Sequence, residues 1–458
     1  MEKVIFIAYY FPPIGGAGVQ RSQKFVQYLP AEGYLPVVVT GPRVPDDRWT
    51  PKDASLLQQI PREIPVYRTE EPVPGPGSKL HRRLESWLGF RSDFSRWWTE
   101  SATRVACRVG KDASLIFATM SPFESAEVAG QVARQLGIPW VADLRDPWAL
   151  DEMMIYPSAL HRKIAIQRME RLLSSAGLIV MNTPEAVAAI RANLPLLGNK
   201  KIISVTNGFD REDFAGVVKQ RSDKKFRIVH SGYLHTEAGL QLRQRRYASL
   251  LGGVEQGVDI LTRSHSVLLQ ALERWSAKRP EVRDDLELVL AGKTSTGDQA
   301  VVSKSPLAVQ TRFTGYLSHA KSLELVRTAD LLFLPMHNLP EGKRSRIVPG
   351  KTYEYIASER PILAAVPDGD ARDFLAQTGT SLLCRPDDLA TMAELIDLAY
   401  TSWKQGKCIT RHNKAFCAAF ERRSLTSTLA RAFDTVLAER TSLAPVSVPS
   451  KQNAHATV

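Results

Sequence analysis

Cysteine is scarce in this chain of 458 residues: Cys107, Cys384, Cys408 and Cys417 are scattered, with no pair at redox or metal-ligand spacing. That excludes a disulfide framework and points to a reducing compartment. Long apolar runs are also missing, and none approaches the ~20 residues that a membrane span needs. VIFIAYYF near the start has the composition of a signal-peptide core. Its continuation, PPIGGAG, is a turn-rich loop without a small-residue cleavage pattern, so the segment reads as a buried first strand. The expected location is cytoplasmic, with a peripheral place on the inner face of the membrane left open. There is no zinc-ligand spacing and no arginine-rich arm interleaved with aromatics, so nucleic acid is not an expected partner. No Gly-Lys-Ser/Thr follows the glycine loop and the spacing is not G-x-G-x-x-G, which excludes the Walker and dinucleotide fingerprints. No clustered Asp-x-Asp is present to hold a divalent ion, so no metal is expected.

What is present is globular in balance, with 44% hydrophobic, 8% aromatic and 24% charged residues and a formal net charge of +12. The basic excess suits a polyphosphate ligand, an anionic membrane surface or nucleic acid. Strand and helix patterns alternate on both sides of a break near 206–226, predicting two doubly wound α/β domains that face each other across a cleft. KVIFIAYY (3–10), GYLPVVVT (33–40), EIPVYRTE (63–70), SLIFATM (114–120), WVADL (140–144) and LIVMNT (178–183) read as strands of the first domain. FRIVHSGYL (226–234) restarts the pattern, followed by LELVLAG (286–292) and DLLFLP (330–335). The expected boundaries are a first domain over 1–210, a second over 211–410, a last helical segment over 411–440 and a disordered tail over 441–458.

Four stretches carry candidate chemistry. Gly15, Gly16 and Gly18 lie between the first strand and the amphipathic segment VQRSQKFVQYL. Such a loop lets backbone approach a phosphate at a helix N-terminus, or is a tight turn that needs positive φ. Asp143, Arg145 and Asp146 stand at the carboxyl end of WVADL, where open α/β sheets bind ligands; they are catalytic candidates, or they cap the next element. Residues 82–104 hold Trp87, Phe90, Phe94, Trp97 and Trp98 among Arg82, Arg83, Arg91 and Arg96. The aromatics cover the core, or with the arginines they meet a membrane surface. In IVPGKTYEYIASERPILAAV (347–366), Pro349 and Gly350 start a helix at Lys351, and a short buried strand follows. Lys351 and Glu354 are neighbours on the first turn, either reading a phosphate and a ribose diol together or forming a surface ion pair.

KTYEYIASERPILA and YFPPIGGAGVQR resemble the donor-binding motif and the opening loop of GT-B glycosyltransferases of the family-4-like type, and VTNGFD (205–210) is similar to the turn at which those enzymes leave their first domain. DLRDPW (143–148) also resembles part of their acceptor-side wall. The resemblance covers nearly all of residues 1–440. It implies a retaining transfer of a hexosyl or related sugar from a nucleotide diphosphate donor to a saccharide or lipid-linked acceptor hydroxyl, in cell-surface polysaccharide or glycolipid synthesis. The donor is a substrate, and no separate cofactor is implied. Glu354 takes the role of the ribose-binding carboxylate. Gly15, Gly16 and Gly232 let backbone approach substrate, Arg263 grips the diphosphate with Lys351, and the turn at Gly315-Tyr316 lines the nucleobase pocket. Two features depart from the family. The second glutamate it often carries eight residues before Glu354 is Arg346 here, and HTEAGLQLRQRRYASLLGGVEQG (235–257) is inserted after Gly232. A sugar-nucleotide epimerase of the same fold, and a non-catalytic sugar-nucleotide-binding partner, are the alternatives.

Overall fold

The computed structural model describes residues 1–42, 52–71, 92–218, 221–244 and 249–443. The first domain holds strands β1 (Glu2–Ile7), β2 (Tyr34–Thr40), β3 (Val66–Arg68), β4 (Leu115–Met120), β5 (Trp140–Leu144), β6 (Leu178–Met181) and β7 (Lys201–Ser204). Between them run helices α1 (Ala17–Tyr28), α2 (Asp93–Val109), α3 (Ser125–Leu136), α4 (Ala159–Leu173) and α5 (Pro184–Asn193). The strands form one parallel sheet in the order β3-β2-β1-β4-β5-β6-β7. Continuous β-branched and aromatic runs make these strands because helices cover both faces, leaving no solvent side for polar residues. Val4, Ile5, Phe6 and Ile7 of β1 are fully buried.

The second domain repeats the plan with β8 (Phe226–Ser231), β9 (Leu286–Ala291), β10 (Thr311–Gly315), β11 (Leu331–Pro335), β12 (Ile362–Ala365) and β13 (Ser381–Cys384). Its sheet is parallel in the order β10-β9-β8-β11-β12-β13. The helices are α6 (Thr236–Gln244), α7 (Ser266–Lys278), α8 (Val282–Asp285), α9 (Thr296–Ser303), α10 (His319–Arg327), α11 (Lys351–Ala357), α12 (Asp370–Thr378), α13 (Leu389–Lys404) and α14 (Lys414–Cys417). In each sheet the strand order reverses direction beside the first strand of the unit, β1 or β8. There, loops leaving neighbouring carboxyl ends diverge and open a crevice. The fold is thus the pair of doubly wound α/β domains that the alternation predicts.

The segment 411–440, expected to be helical, is interrupted. After α14 a single 3₁₀ turn at Ala418–Phe420 and extended Glu421 precede α15 (Arg422–Leu443). The interruption lets α15 return to the first domain. Leu429, Ala430 and Phe433 are buried there among Val4, Phe6, Phe25 and Phe117. The Phe433 ring meets Tyr34 and Phe117 edge-on at 5.2 and 5.7 Å. Helix α15 continues through residues 441–443; the rest of the expected tail lies outside the described residues. Among the described residues no helix is long and apolar enough to cross a membrane.

Of the aromatic stretch 82–104, residues 82–91 lie outside the described residues. The remainder forms the start of α2, where Trp98 is fully buried and packs edge-on to Tyr9 at 4.9 Å. Trp97 is half-buried against the same cluster, so both tryptophans serve the core rather than a headgroup interface. Because α15 supplies a wall of the first domain's core from the far end of the chain, Phe433→Ala is expected to destabilise that domain by about 3–5 kcal/mol, the range for a fully buried phenylalanine. Chemical denaturation of the wild type and the variant measures the difference; a loss below ~1 kcal/mol would mean that α15 packs there only loosely.

Candidate active site

The carboxyl ends of both sheets face one cleft of about 720 Å³. On the first domain's side, the loop after β1 delivers Gly15 and Gly16 to the cleft wall, and the first turn of α1 delivers Gly18. Gly16, with φ 102°, precedes α1, whose first turn carries neither an acidic residue nor a side-chain cap. The N–H groups of that turn keep their partial positive charge for a ligand. Gly18 is needed for another reason. A methyl group there would lie 1.6 Å from Nη1 of Arg145. The guanidinium therefore lies directly over the helix start, with Nε donating to Met120 O at 2.9 Å. Burial lowers the pKa of Arg145, against the charges of Asp146 and Asp143.

Asp143, expected to be catalytic, is not on the cleft surface. It is fully buried, accepting from Arg21 Nη2 at 2.7 Å, from Arg21 Nε at 3.2 Å and from Thr119 Oγ1 at 2.9 Å. Its lone pairs are used, and its work is to hold Arg21, and with it α1, against the end of β5. Asp146 is exposed and lines the cleft together with Arg145.

On the second domain's side, Gly232, Arg263, Lys351 and Glu354 line the same cleft. The Lys351 amine lies 3.0 Å from His230 Nε2, and a methyl group at Gly232 would stand 2.7 Å from that amine. Gly232 also has φ +121°, a conformation that other residues rarely adopt. Burial, and next the charge of Arg263, pull the Lys351 pKa down to about 7 against the pull of Glu354. Arg263 donates to Met153 Sδ at 3.2 Å and also has a pKa lowered by burial. Glu354 forms no ion pair with Lys351 among the described residues. Its nearest basic group is His319, with Nδ1 3.9 Å from Oε1. Burial opposes a charge on His319, but hydrogen bonding to Asp213 and the field of Glu354 outweigh it and raise the pKa. Gly315 is not on the wall; it has φ +70° and turns the chain so that Tyr316 and Leu317 reach the cleft.

The structure adds residues that sequence reasoning did not single out. Asp151 lines the cleft and accepts from Met153 N at 2.7 Å. Burial, then the neighbouring carboxylates Glu152 and Asp146, push its pKa up to about 7. His230 and His319 also enter here. In sequence, His230 is one polar residue inside an apolar strand, and Asp151 follows the flagged charges by five positions; neither spacing signals a site.

Arg346 stands where the resembling family often has glutamate, and it is turned away from the cleft. Its Nη1 donates to Leu150 O at 2.7 Å and approaches Glu255 at 3.4 Å. Its backbone N–H donates to Glu152 Oε1, which also accepts from Ser345 Oγ at 2.7 Å and pairs with His337 Nε2 at 3.0 Å. Part of the insert joins this contact between domains: Gly253 O accepts from Tyr156 N and Leu251 O from Ala159 N, both at 2.8 Å. Arg243, from the QLRQRRY tract, pairs with Asp259; residues 245–248 lie outside the described residues.

Two doubly wound domains whose switch points share one basic cleft define the GT-B fold, and solved structures agree. The chain superposes on sucrose-phosphate synthase from Thermosynechococcus elongatus with a TM-score of 0.65 at 14% identity, over 96% of this chain and 100% of that one. For the Anabaena HepE protein in complex with UDP and glucose the TM-score is 0.59 at 14% identity, covering 95% and 100%. For a Listeria monocytogenes protein described as a UDP-N-acetylglucosamine 2-epimerase it is 0.55 at 11%, covering 95% and 97%. At these identities the likeness is one of fold. No curated protein matches the chain. In the second domain, residues 261–415, the segment that carries Arg263, Lys351 and Glu354, match the family of glycosyl transferases group 1. That agrees with the family resemblance carried by the KTYEYIASERPILA motif.

Gly232→Ala is expected to abolish sugar-nucleotide binding by displacing the Lys351 amine, and to cost about 1–3 kcal/mol of stability for its backbone conformation. Gly33→Ala is the control, because Gly33 has φ +88° but nothing within 4 Å of an added methyl. It should lose comparable stability and bind normally. Equal binding by both variants, followed by calorimetry, would separate Gly232 from the ligand.

Proposed function

We propose that the protein is a glycosyltransferase that moves a hexosyl or related sugar, with retention, from a nucleotide diphosphate donor to a hydroxyl of a saccharide or lipid-linked acceptor in cell-surface polysaccharide or glycolipid synthesis. The observation that carries this reading is the pairing across one cleft of Arg263, Lys351 and Glu354 with Arg145 and the open start of α1. A departing diphosphate needs its developing charge met by fixed donors. Arg263 and Lys351 supply them from the second domain, and Arg145 with the first N–H groups of α1 from the other. Glu354, on the first turn of α11, accepts from the two ribose hydroxyls in this reading. Asp146 and Asp151 stand on the acceptor side, where a hydroxyl must be oriented. The nucleotide sugar is a substrate in this reading, which assigns no step to a metal or separate cofactor.

The same reading sets the acceptor-side face against an anionic bilayer. Leu160 and Ile164 of α4 are 63% and 49% exposed, and Leu250 and Leu251 of the insert are 83% and 57% exposed. The hydrogen bond between Ala159 N and Leu251 O brings the two groups together, with exposed Lys163 beside them. Apolar side chains next to basic ones suit the headgroup boundary. Salt-sensitive co-sedimentation with phosphatidylglycerol vesicles is expected, weakened in the Leu160→Ser, Leu250→Ser double variant. Equal sedimentation with and without vesicles would remove the membrane from this reading.

The direct test is a thermal-shift screen over nucleotide sugars, since ligand binding adds stability by mass action, followed by product analysis with and without acceptors. Glu354→Gln should weaken donor binding by about 1.5–3 kcal/mol, the scale for hydrogen bonds to a charged group, and leave the unliganded melting temperature nearly unchanged. Normal binding with early melting would make Glu354 a structural residue. Conversion of donor alone would identify an epimerase, and binding without turnover across an acceptor panel a non-catalytic partner.

A further inference from the structure

Lys351 is a half-buried amine on the cleft wall whose one direct hydrogen-bond partner among the described residues is a histidine, and no carboxylate pairs with it there. Its place is fixed from three sides. Gly232 leaves the space it occupies, Arg263 brings a like charge close, and His230 Nε2 stands 3.0 Å from Nζ. The protonation of His230 follows from its other contact. Nδ1 lies 3.0 Å from Phe333 O, and a carbonyl oxygen only accepts, so Nδ1 carries the hydrogen. Nε2 is then the acceptor for Lys351. A proton on Nε2 would set two cations against each other in a fully buried place, and burial together with Lys351 holds the imidazole pKa well below its ordinary value. A neutral acceptor stabilises an amine without supplying a counter-charge. The counter-charge has to arrive with the ligand.

We propose that His230 is a positioning residue that presents Lys351 to the donor diphosphate, and that a nucleotide sugar binds together with one proton taken from solvent onto Lys351. The proposal rests on the reading of this cleft as a nucleotide-sugar site. The proton balance is simple: the free site holds the amine largely as –NH2 above neutral pH, the diphosphate brings two negative charges, and the complex holds –NH3⁺ between phosphate oxygen and His230 Nε2. The sign follows by linkage. A group whose pKa rises on binding takes up a proton, so affinity falls as pH rises through the range where the free amine is neutral. The other charged groups near Lys351 are Arg263, which stays charged, and Glu354, which faces His319 and Asp213 across the same wall. His265 lies next to His230, with its own pKa lowered by burial. Asp151 and Asp146 act on Arg263 from the first domain.

The experiment is isothermal calorimetry with UDP-glucose, GDP-mannose and ADP-glucose, whose diphosphates do not titrate near neutrality, in buffers of different ionisation enthalpy. Expected uptake by the wild-type protein is close to one proton per site at pH 8.5 and close to zero at pH 6, with Kd rising about tenfold per pH unit above pH ~7. Lys351→Arg keeps a cation that does not titrate, so it should bind with no uptake and a flat pH profile. His230→Phe should bind more weakly at pH 7 and shift the midpoint of uptake to lower pH. His230→Gln, whose amide oxygen restores an acceptor, should move the midpoint back. Binding without proton uptake in the wild type overturns the proposal while leaving the donor site intact. Uptake that persists in Lys351→Arg also overturns it, assigning the proton to His319 or Asp151. If none of the three nucleotide sugars binds at any pH, the donor reading falls and this inference with it.

Discussion

The buried pair of Arg21 and Asp143 is the constraint from which the cleft is built. Arg21 reaches from α1 to the end of β5, and its Nη1 also donates to Thr206 O at 2.7 Å, at the exit from the first domain. Ion pairs this deep add little net stability, because both partners are desolvated, but removing one partner leaves an uncompensated charge at a cost of about 3–5 kcal/mol. Their value here is geometric. The pair sets the start of α1, and so Gly16 and Gly18, at a fixed place against Arg145. One and two turns further along α1, Lys24 and Tyr28 bind Asp210 at 2.9 and 2.8 Å, and Arg422 of α15 binds the same carboxylate at 2.8 Å. A single helix thus carries the glycine loop at one end and ties the chain's return segment at the other.

The two walls of the cleft use charge differently. On the first domain's side, Arg21 is balanced by Asp143, while Arg145 is held by the Met120 carbonyl. On the second domain's side, Lys351 has no such carboxylate partner among the described residues, and Arg263 finds only a thioether at hydrogen-bonding distance. Partly buried cations without a bonded counterion are disfavoured, so a site of this kind favours depressed protonation or a bound anion. In the proposed reading, this second-domain wall is the one that receives the donor phosphates. Arg346 and the insert belong to a separate task. With Glu152, His337, Ser345 and Glu255 they join the domains outside the cleft, so the arginine that replaces the family's glutamate is engaged in an interdomain contact.

The local alphabet of the chain was enough for much of this. Continuous runs such as VIFI and LIVM admit little besides parallel strands covered on both faces, and Pro-Gly before KTYEYIA marks a helix start, because these are consequences of local sterics and burial. Glu354, Lys351 and the glycine loop were legible for the same reason: each sits at a break between a strand and a helix, where an α/β sheet exposes its ligand-binding end. Tertiary structure decided the rest. Whether Asp143 or Asp146 faces the cleft depends on where Arg21 lies, 122 residues away in sequence. Whether Lys351 pairs with Glu354 or with His230 depends on the crossing of β8 with α11, and whether Trp97 and Trp98 meet solvent depends on Tyr9. Local patterns determine which elements form; the protonation and the partners of a buried side chain depend on its neighbours in space, and those are known only when distant segments have packed.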